Sequence, residues 1–193
     1  MAVRDIIFFP EHAKELREKS KPVPFVNNKV IRLIQDLKDT LKANADGIGL
    51  AAPQINIHKR VAVVCPGTEV DGEWQAGPPL AFVNPVIVES GDERRDFDGC
   101  LSFPGLYGEI TRPHHLRVTG WSEGGIPFDR NFYGFNAFVI HHEIDHLDGI
   151  LFIDRIENPQ DLYTLQLEED GNLVRVPVSL EHHRNPPDPV RFP

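Results

Sequence analysis

The chain is poor in cysteine and has no long apolar run. Only two of its 193 residues are cysteine, Cys65 and Cys100. They allow at most one disulfide, which a domain of this length does not require, so we interpret Cys65 as a small core residue. No apolar stretch approaches the roughly 20 residues that cross a membrane as a helix. We predict no membrane partner.

A surplus of positive charge is also missing. The chain has 20 Lys and Arg residues against 29 Asp and Glu residues, for a formal net charge of −9. Surfaces that bind nucleic acids are normally basic, so we predict no direct nucleic-acid binding. The first twenty residues, MAVRDIIFFPEHAKELREKS, have too short an apolar stretch for a signal peptide and too many acids for a transit peptide. We therefore expect a cytoplasmic protein.

Periodic apolar residues predict two helices. In NNKVIRLIQDLKDTLKANADG, apolar residues recur at steps of four and three from Val30 to Leu41, which indicates an amphipathic helix capped by Asn27 or Asn28. The later stretch FNAFVIHHEIDHLDG is apolar almost all round and ends at Gly149, a typical position for a C-terminal glycine. We expect this second helix, with Asn131 or Asn136 as its cap, to be central to the fold.

Between the helices, β-branched and aromatic runs predict strands. The candidate strands are KRVAVVCP, PLAFVNPVIVES, LRVTGW and RNFYGF, with a hairpin in GTEVDGEWQAGPP and a loop or turn in GIGLAAPQ. The predicted fold class is α+β, with mostly antiparallel strands packed around the central helix.

We predict one catalytic domain over residues 1–156. Residues 157–193 are predicted to form a C-terminal extension. Within it, NLVRVPVSL is a candidate edge strand because Pro177 is tolerated only at an edge, and RNPPDPVRFP is a proline-rich tail.

The central helix carries the motif H-E-x-x-H, formed by His142, Glu143 and His146. Histidines four residues apart lie on one face of a helix, so both imidazoles can bind one metal ion, and the glutamate can reach a water beside it. A catalytic metal site normally has three protein ligands, which leaves one to be found. The candidates are Cys100, an acidic residue or one of five further histidines, which we interpret as surface residues: His58, His114, His115, His182 and His183.

Two other stretches complete a pattern with this helix. GIGLAAPQ at residues 47–54, DGCLS at residues 98–102 and HHEIDHLDG at residues 141–149 resemble, in order and spacing, the three signature motifs of the peptide deformylase family. The family pattern is roughly G-apolar-G-apolar-A-A-x-Q, E-G-C-L-S and Q-H-E-x-D-H-L-x-G. The flanking segments FVNPVIVES and LFIDRI are also similar to the family.

The resemblance implies a site and a reaction. Cys100, His142 and His146 would bind one divalent ion per chain, most often Fe²⁺ in the family, with Zn²⁺, Ni²⁺ or Co²⁺ as other occupants. The reaction would be hydrolysis of the N-formyl group of formyl-methionine at the start of newly synthesised polypeptides, with release of formate.

The resemblance also implies a role for the surrounding residues. Glu143 would act as base and then acid, while the Gln54 side chain and the Leu101 backbone N–H would stabilise the oxyanion. The remaining expectations are that the backbones of Ile48, Gly49 and Gly99 pair with the substrate and that Asp98 pairs with Arg112 behind the cysteine loop.

The chain departs from the family pattern at two positions. Asp98 stands where glutamate is usual, so its pair with Arg112 would have to lengthen or the loop would have to shift. His141 stands where glutamine is usual. Asp145 is expected to be either a partner of a ligand imidazole or a solvated acid.

Two alternative functions remain at this stage. An H-E-x-x-H zinc peptidase would cleave internal peptide bonds and would take a third ligand other than Cys100. A catalytically weak relative of the deformylases would hold the metal and bind peptides without turnover.

Overall fold

The computed structural model describes residues 2–44, 47–71, 73–168 and 171–179, and the proline-rich tail predicted at residues 184–193 lies outside them. In this part of the chain three α-helices and nine strands alternate with short 3₁₀ turns. The helices are α1 Ala13–Leu16, α2 Asn28–Ala43 and α3 Gly134–Asp148. The strands are β1 Gly49–Ala51, β2 Val61–Val64, β3 Gly67–Val70, β4 Glu73–Ala76, β5 Leu80–Gly99, β6 Tyr107–Trp121, β7 Pro127–Tyr133, β8 Leu162–Leu167 and β9 Leu173–Pro177.

The predicted α+β fold class is confirmed. Seven strands form one sheet in the order β1-β2-β5-β6-β8-β9, with β7 paired to β6, while β3 and β4 form a separate hairpin. The strand pairs of both sheets are antiparallel. The central helix α3 packs against β1, β2, β6 and β7.

Helix α2 forms as its apolar period predicts. Asn27 is the cap, and its side-chain oxygen accepts hydrogen bonds from the backbone N–H groups of Lys29 and Val30 at 2.9 and 3.1 Å. The buried stripe of the helix packs on β1 and β2, and the half-buried Cys65 lies against the same apolar cluster. Both cysteines are free thiols.

Helix α3 begins differently from the prediction. Its N-cap is Tyr133, with no side-chain cap, and neither predicted asparagine has that role. Asn136 instead forms two hydrogen bonds with the backbone of Gly67, at 2.9 and 3.0 Å, which fix the β3–β4 hairpin to the start of the helix. The predicted end is correct, since Gly149 has a positive φ of 75° there.

The strands around the cysteine differ in extent from the prediction. β5 and β6 are far longer than their predicted apolar segments and form a ribbon whose turn is Cys100–Leu106. The predicted loop GIGLAAPQ contains strand β1 and a 3₁₀ turn over Ala52–Ile55, because Gly49–Ala51 find partners in β2.

The C-terminal residues that are described join the same sheet. β8 pairs with β6, and β9 lies at the end of the sheet with Pro177 as its last residue. The domain boundary drawn at residue 156 stays a prediction. In the described residues no helix is long and apolar enough to span a membrane.

Candidate metal centre and active site

The fold brings the three predicted ligands together. Cys100 stands at the end of β5, and α3 presents His142 and His146 from successive turns. The Cys100 Sγ atom lies 3.2 Å from His146 Nε2, and the two histidine Nε2 atoms are 3.1 Å apart. All three ligand atoms lie within 4.8 Å of one another.

This donor set fits one divalent ion. Ligand atoms bound at about 2.0 to 2.3 Å to a single ion lie roughly 3 to 4 Å apart, and the distances from His146 Nε2 to the other two atoms fall in this range. Asp98 accepts a hydrogen bond from His142 Nδ1 at 3.0 Å, which leaves the Nε2 atom of the ring, on the side of His146, to bind an ion. With the thiol deprotonated and both imidazoles neutral, a cation between the three atoms would pair with all of their lone pairs.

Glu143 lies beside this point with a carboxylate that is not fully satisfied. It is buried, and in the described part of the chain its Oε2 atom has no hydrogen-bond partner. Burial raises the pKa of Glu143 to about 7. A carboxyl group with that pKa can both accept and return a proton near neutral pH.

The structure gives Gly49 a steric role that the sequence did not suggest. A Cβ atom at this position would lie 2.3 Å from the Oε1 atom of Glu143, so any side chain here would displace the carboxylate. Gly49 also belongs to β1, which is an edge strand of the sheet.

Gln54 is aimed at the cysteine from the 3₁₀ turn after β1. Its Oε1 atom accepts a hydrogen bond from the Ala51 backbone at 2.8 Å, which fixes the orientation of the amide. The Nε2 group lies 3.5 Å from Cys100 Sγ and 3.3 Å from Ser102 Oγ. Ser102 is fully buried and was not singled out in the sequence, although it follows the cysteine by two residues.

Asp98 and Arg112 are paired, and the shorter side chain of Asp98 does not lengthen the pair. Arg112 donates from Nε and Nη2 to Asp98 Oδ2 at 3.1 and 3.0 Å. Burial raises the pKa of Asp98, but the neighbouring His142 and Arg112 outweigh it and lower the pKa below its usual range. The contact between Asp98 and the predicted ligand His142 was not expected from the sequence.

Asp145 is not a solvated acid, and its hydrogen-bond partners among the described residues are two arginines rather than a proposed ligand imidazole. It is buried and accepts hydrogen bonds from Arg112 Nη1 at 2.5 Å and from both Nε and Nη2 of Arg155 at 2.6 Å. Burial raises the pKa of Asp145, but the hydrogen bonds from Arg155 and the charge of Arg112 lower it well below its usual range.

Of the five further histidines considered as ligands, those that the structure describes do not belong to the group formed by Cys100, His142 and His146. His58 contacts the backbone oxygen of Glu15, and His115 bonds Asn131. The surface interpretation is wrong for His114, which is buried against Phe138. His182 and His183 lie outside the described residues.

Comparison with known proteins gives consistent matches. The model of the polypeptide deformylase family matches residues 3–161. "Peptide deformylase 2" of Gloeobacter violaceus is 44% identical over 161 residues, covering 83% of each chain.

Solved structures match as well. The peptide deformylase of Ehrlichia chaffeensis in complex with actinonin has a TM-score of 0.74 and 33% identity, covering 82% of this chain and 91% of that one. The class I type b peptide deformylase of Acinetobacter baumannii with Met-Ala-Ser bound has a TM-score of 0.72 and 31% identity, covering 80% and 99%.

Proposed function

Since the chain belongs to the polypeptide deformylase family, we propose a specific assignment of roles at its site. The protein is a metal-dependent hydrolase that removes the N-formyl group from newly synthesised peptides. In our assignment Cys100, His142 and His146 hold the ion and Glu143 moves the proton. The observation that carries it is the convergence of three ligand atoms beside a buried carboxylate that has an unpaired oxygen.

The ion of this proposal is Fe²⁺, as the family resemblance implies. A thiolate with two neutral imidazoles leaves a divalent complex with one net positive charge, and Zn²⁺, Ni²⁺ and Co²⁺ can occupy the same donors. When bound, such an ion supplies Lewis-acid chemistry, making a water more acidic and polarising a carbonyl oxygen.

Glu143 supplies the proton transfers. Its carboxylate takes a proton from the attacking water as that water adds to the formyl carbon. It then gives the proton to the amine nitrogen as the C–N bond breaks, which releases formate. Burial raises the pKa of Glu143 to about 7, which suits both steps near neutral pH.

Gln54 and Leu101 are proposed to hold the developing oxyanion. The Gln54 amide is fixed by its bond from the Ala51 backbone and presents its N–H donors beside Cys100. Leu101 follows Cys100 directly in the chain, and its backbone N–H is the second donor of this proposal. Loss of one such donor typically lowers kcat by about 10²- to 10³-fold.

The substrate is proposed to bind as an added strand on the free edge of β1. Main-chain pairing with Ile48 and Gly49, and with Gly99 at the end of β5, binds a peptide without reading its side chains. This suits an enzyme that acts on formyl-methionyl chains of many sequences. The bound Met-Ala-Ser of the Acinetobacter enzyme is a peptide that begins with methionine, which supports a substrate with methionine at its first position.

The setting of this reaction is also a proposal. The substrates are nascent chains emerging from ribosomes in the cytoplasm, and the enzyme meets them without binding nucleic acid or a membrane itself. The net charge of −9 supports the absence of a nucleic-acid contact.

Formate release from formyl-Met-Ala-Ser by Fe²⁺-loaded protein under anaerobic conditions tests the assignment. Glu143→Gln is expected to lower kcat by about 10²- to 10⁴-fold while the metal content stays the same, because the side chain no longer accepts a proton. Glu89→Gln, which changes an exposed acid on β5, is the control and should keep full activity. Equal activity in Glu143→Gln contradicts the role of Glu143.

The two alternatives make different predictions in the same preparations. A zinc peptidase cleaves internal bonds of unformylated peptides and keeps its metal in Cys100→Ser or Cys100→Asp, whereas our assignment predicts loss of metal in Cys100→Ser. A binding relative holds metal and peptide but releases no formate.

A further inference from the structure

The environment of Arg112 links a residue outside the ligand set to the metal centre. Arg112 lies on β6 and its side chain is completely buried. A guanidinium group has five N–H donors, and burying its charge is favourable only when acceptors surround it. Asp98 takes the bonds from Nε and Nη2, while Nη1 faces Asp145 and His141.

Arg112 also contacts the ring of His141, which lies on α3. The Arg112 Nη1 atom lies 2.6 Å from His141 Nδ1. Arginine can only donate, so Nδ1 is the acceptor in this contact. His141 therefore acts as a hydrogen-bond acceptor for Arg112.

The second acceptor of Nη1 is shared. Asp145 is bound at the same time by both Nε and Nη2 of the half-buried Arg155. The position of the Asp145 carboxylate therefore depends on Arg155 as well as on Arg112. Among the described residues, His141 Nδ1 has no strong donor other than Arg112. His141 and Asp145 are four residues apart on α3, so together they hold Nη1 against the helix.

The chain of contacts continues from Arg112 to a metal ligand. Arg112 fixes the Oδ2 atom of Asp98, and the same carboxylate accepts the hydrogen bond from His142 Nδ1 at 3.0 Å. That bond sets the tautomer and the ring orientation of His142, so its Nε2 atom faces the other ligands. A shift of the guanidinium would therefore turn the ligand ring.

We propose that His141 is a positioning residue of the metal centre, which holds Arg112 and through it Asp98 and the His142 ring. The inference rests on the proposed metal site. Because an amide oxygen can accept the same bond, glutamine at position 141 should preserve the function, and an apolar residue should not.

The test compares His141→Leu and His141→Gln with wild type in Co²⁺ affinity, measured by chelator competition, and in the thiolate-to-Co²⁺ absorption band. Removing a partner that orients a metal ligand typically lowers metal affinity by about 10- to 100-fold, and we expect the lower end for His141→Leu together with an altered band. His141→Gln should bind Co²⁺ as wild type does. His115→Leu, on the ribbon away from the site, is the matched control and should leave both readouts unchanged.

The outcomes separate this inference from the proposed function. Unchanged Co²⁺ affinity and band in folded His141→Leu overturn the inference, as does a loss that His141→Gln fails to rescue. If His141→Leu does not fold, His141→Ala takes its place with the same expectation. Failure of wild-type protein to deformylate peptides while these Co²⁺ effects hold would contradict the proposed function alone.

Discussion

Helices α2 and α3 have nearly the same length but opposite patterns of burial. Of the sixteen residues of α2, seven are buried, and five of them are aliphatic side chains along one stripe. Of the fifteen residues of α3, ten are buried, and four of these are ionisable: His142, Glu143, Asp145 and His146.

The difference separates stability from function. The stripe of α2 gains free energy by removing apolar surface from water, which requires no chemical specificity beyond size and shape. The ionisable residues of α3 lose hydration on burial, and only exact partners compensate for that loss. Because the buried ionisable residues of α3 do not stabilise the fold in the way the apolar stripe of α2 does, they indicate that α3 carries the functional site.

The largest effect on stability should come from α2. Leu37 is fully buried in the cluster between α2 and the sheet. Leu37→Ala removes its apolar contacts and leaves a cavity, which should lower the free energy of unfolding by about 2 to 5 kcal/mol. Denaturant unfolding measures this loss, and the kcat of the folded fraction should stay unchanged because neither the proposed ligands nor Glu143 lies on α2.

An exposed residue of the same helix provides the control. Ile31 is 41% exposed, so Ile31→Ala should cost far less than Leu37→Ala. Equal losses for the two variants would contradict the view that α2 acts through its buried stripe. A fall in the kcat of folded Leu37→Ala would show that a change in the packing of α2 also disturbs the site on α3.

A substitution where β1 contacts α3 is expected to have the opposite effect, a large fall in kcat with a smaller change in the free energy of unfolding. Gly49→Ala places a Cβ atom where the Glu143 carboxylate lies, at 2.3 Å from Oε1, so the carboxylate must turn away. A misplacement of about 1 Å can cost on the order of 10²-fold in rate, and we expect a fall of that size in kcat for formate release. The free energy of unfolding should change less than in Leu37→Ala, since a flexible side chain yields rather than the core.

Gly91→Ala is the matched glycine substitution. A Cβ atom at Gly91, also in a strand, would meet no atom within 4 Å. Its kcat should equal that of wild type. If Gly49→Ala retained full activity, the observed position of the Glu143 carboxylate would not be the one that the reaction uses.

The same contrast explains how much could be predicted from the sequence. Helix α2 was predictable because its apolar period is local, and Cys100, His142 and His146 were predictable because motifs fix residue types at fixed spacing. The extent of β5 and β6 was not predictable. Between the apolar ends of this ribbon, polar residues around Gly91 and Asp92 look like a turn, yet Gly91 pairs with His115 and Glu93 with Pro113 in the ladder of β5 and β6.

Partners that lie far apart in the chain were also missed. Asp98 contacts His142 across 44 residues and Asp145 contacts Arg112 across 33, so no local pattern indicates either pair. The asparagine cap expected for α3 failed for a related reason. Asn136 is committed to the distant backbone of Gly67, which a local rule for helix starts does not include.

The smallest predicted effect concerns the start of α2, where the expected asparagine is the N-cap. Asn27 satisfies two N–H groups at the start of α2, which otherwise have no partner within the helix. Asn27→Ala should lower the free energy of unfolding by about 1 kcal/mol, or roughly 2 to 4 °C in Tm for a chain of this size. Asn28→Ala changes the neighbouring exposed residue, which is not the cap, and should leave Tm within about 1 °C of wild type because alanine favours the helix interior. Calorimetric scans of both variants measure the difference, and equal Tm values would mean that the packing of the buried stripe alone, without its cap, sets the stability of α2.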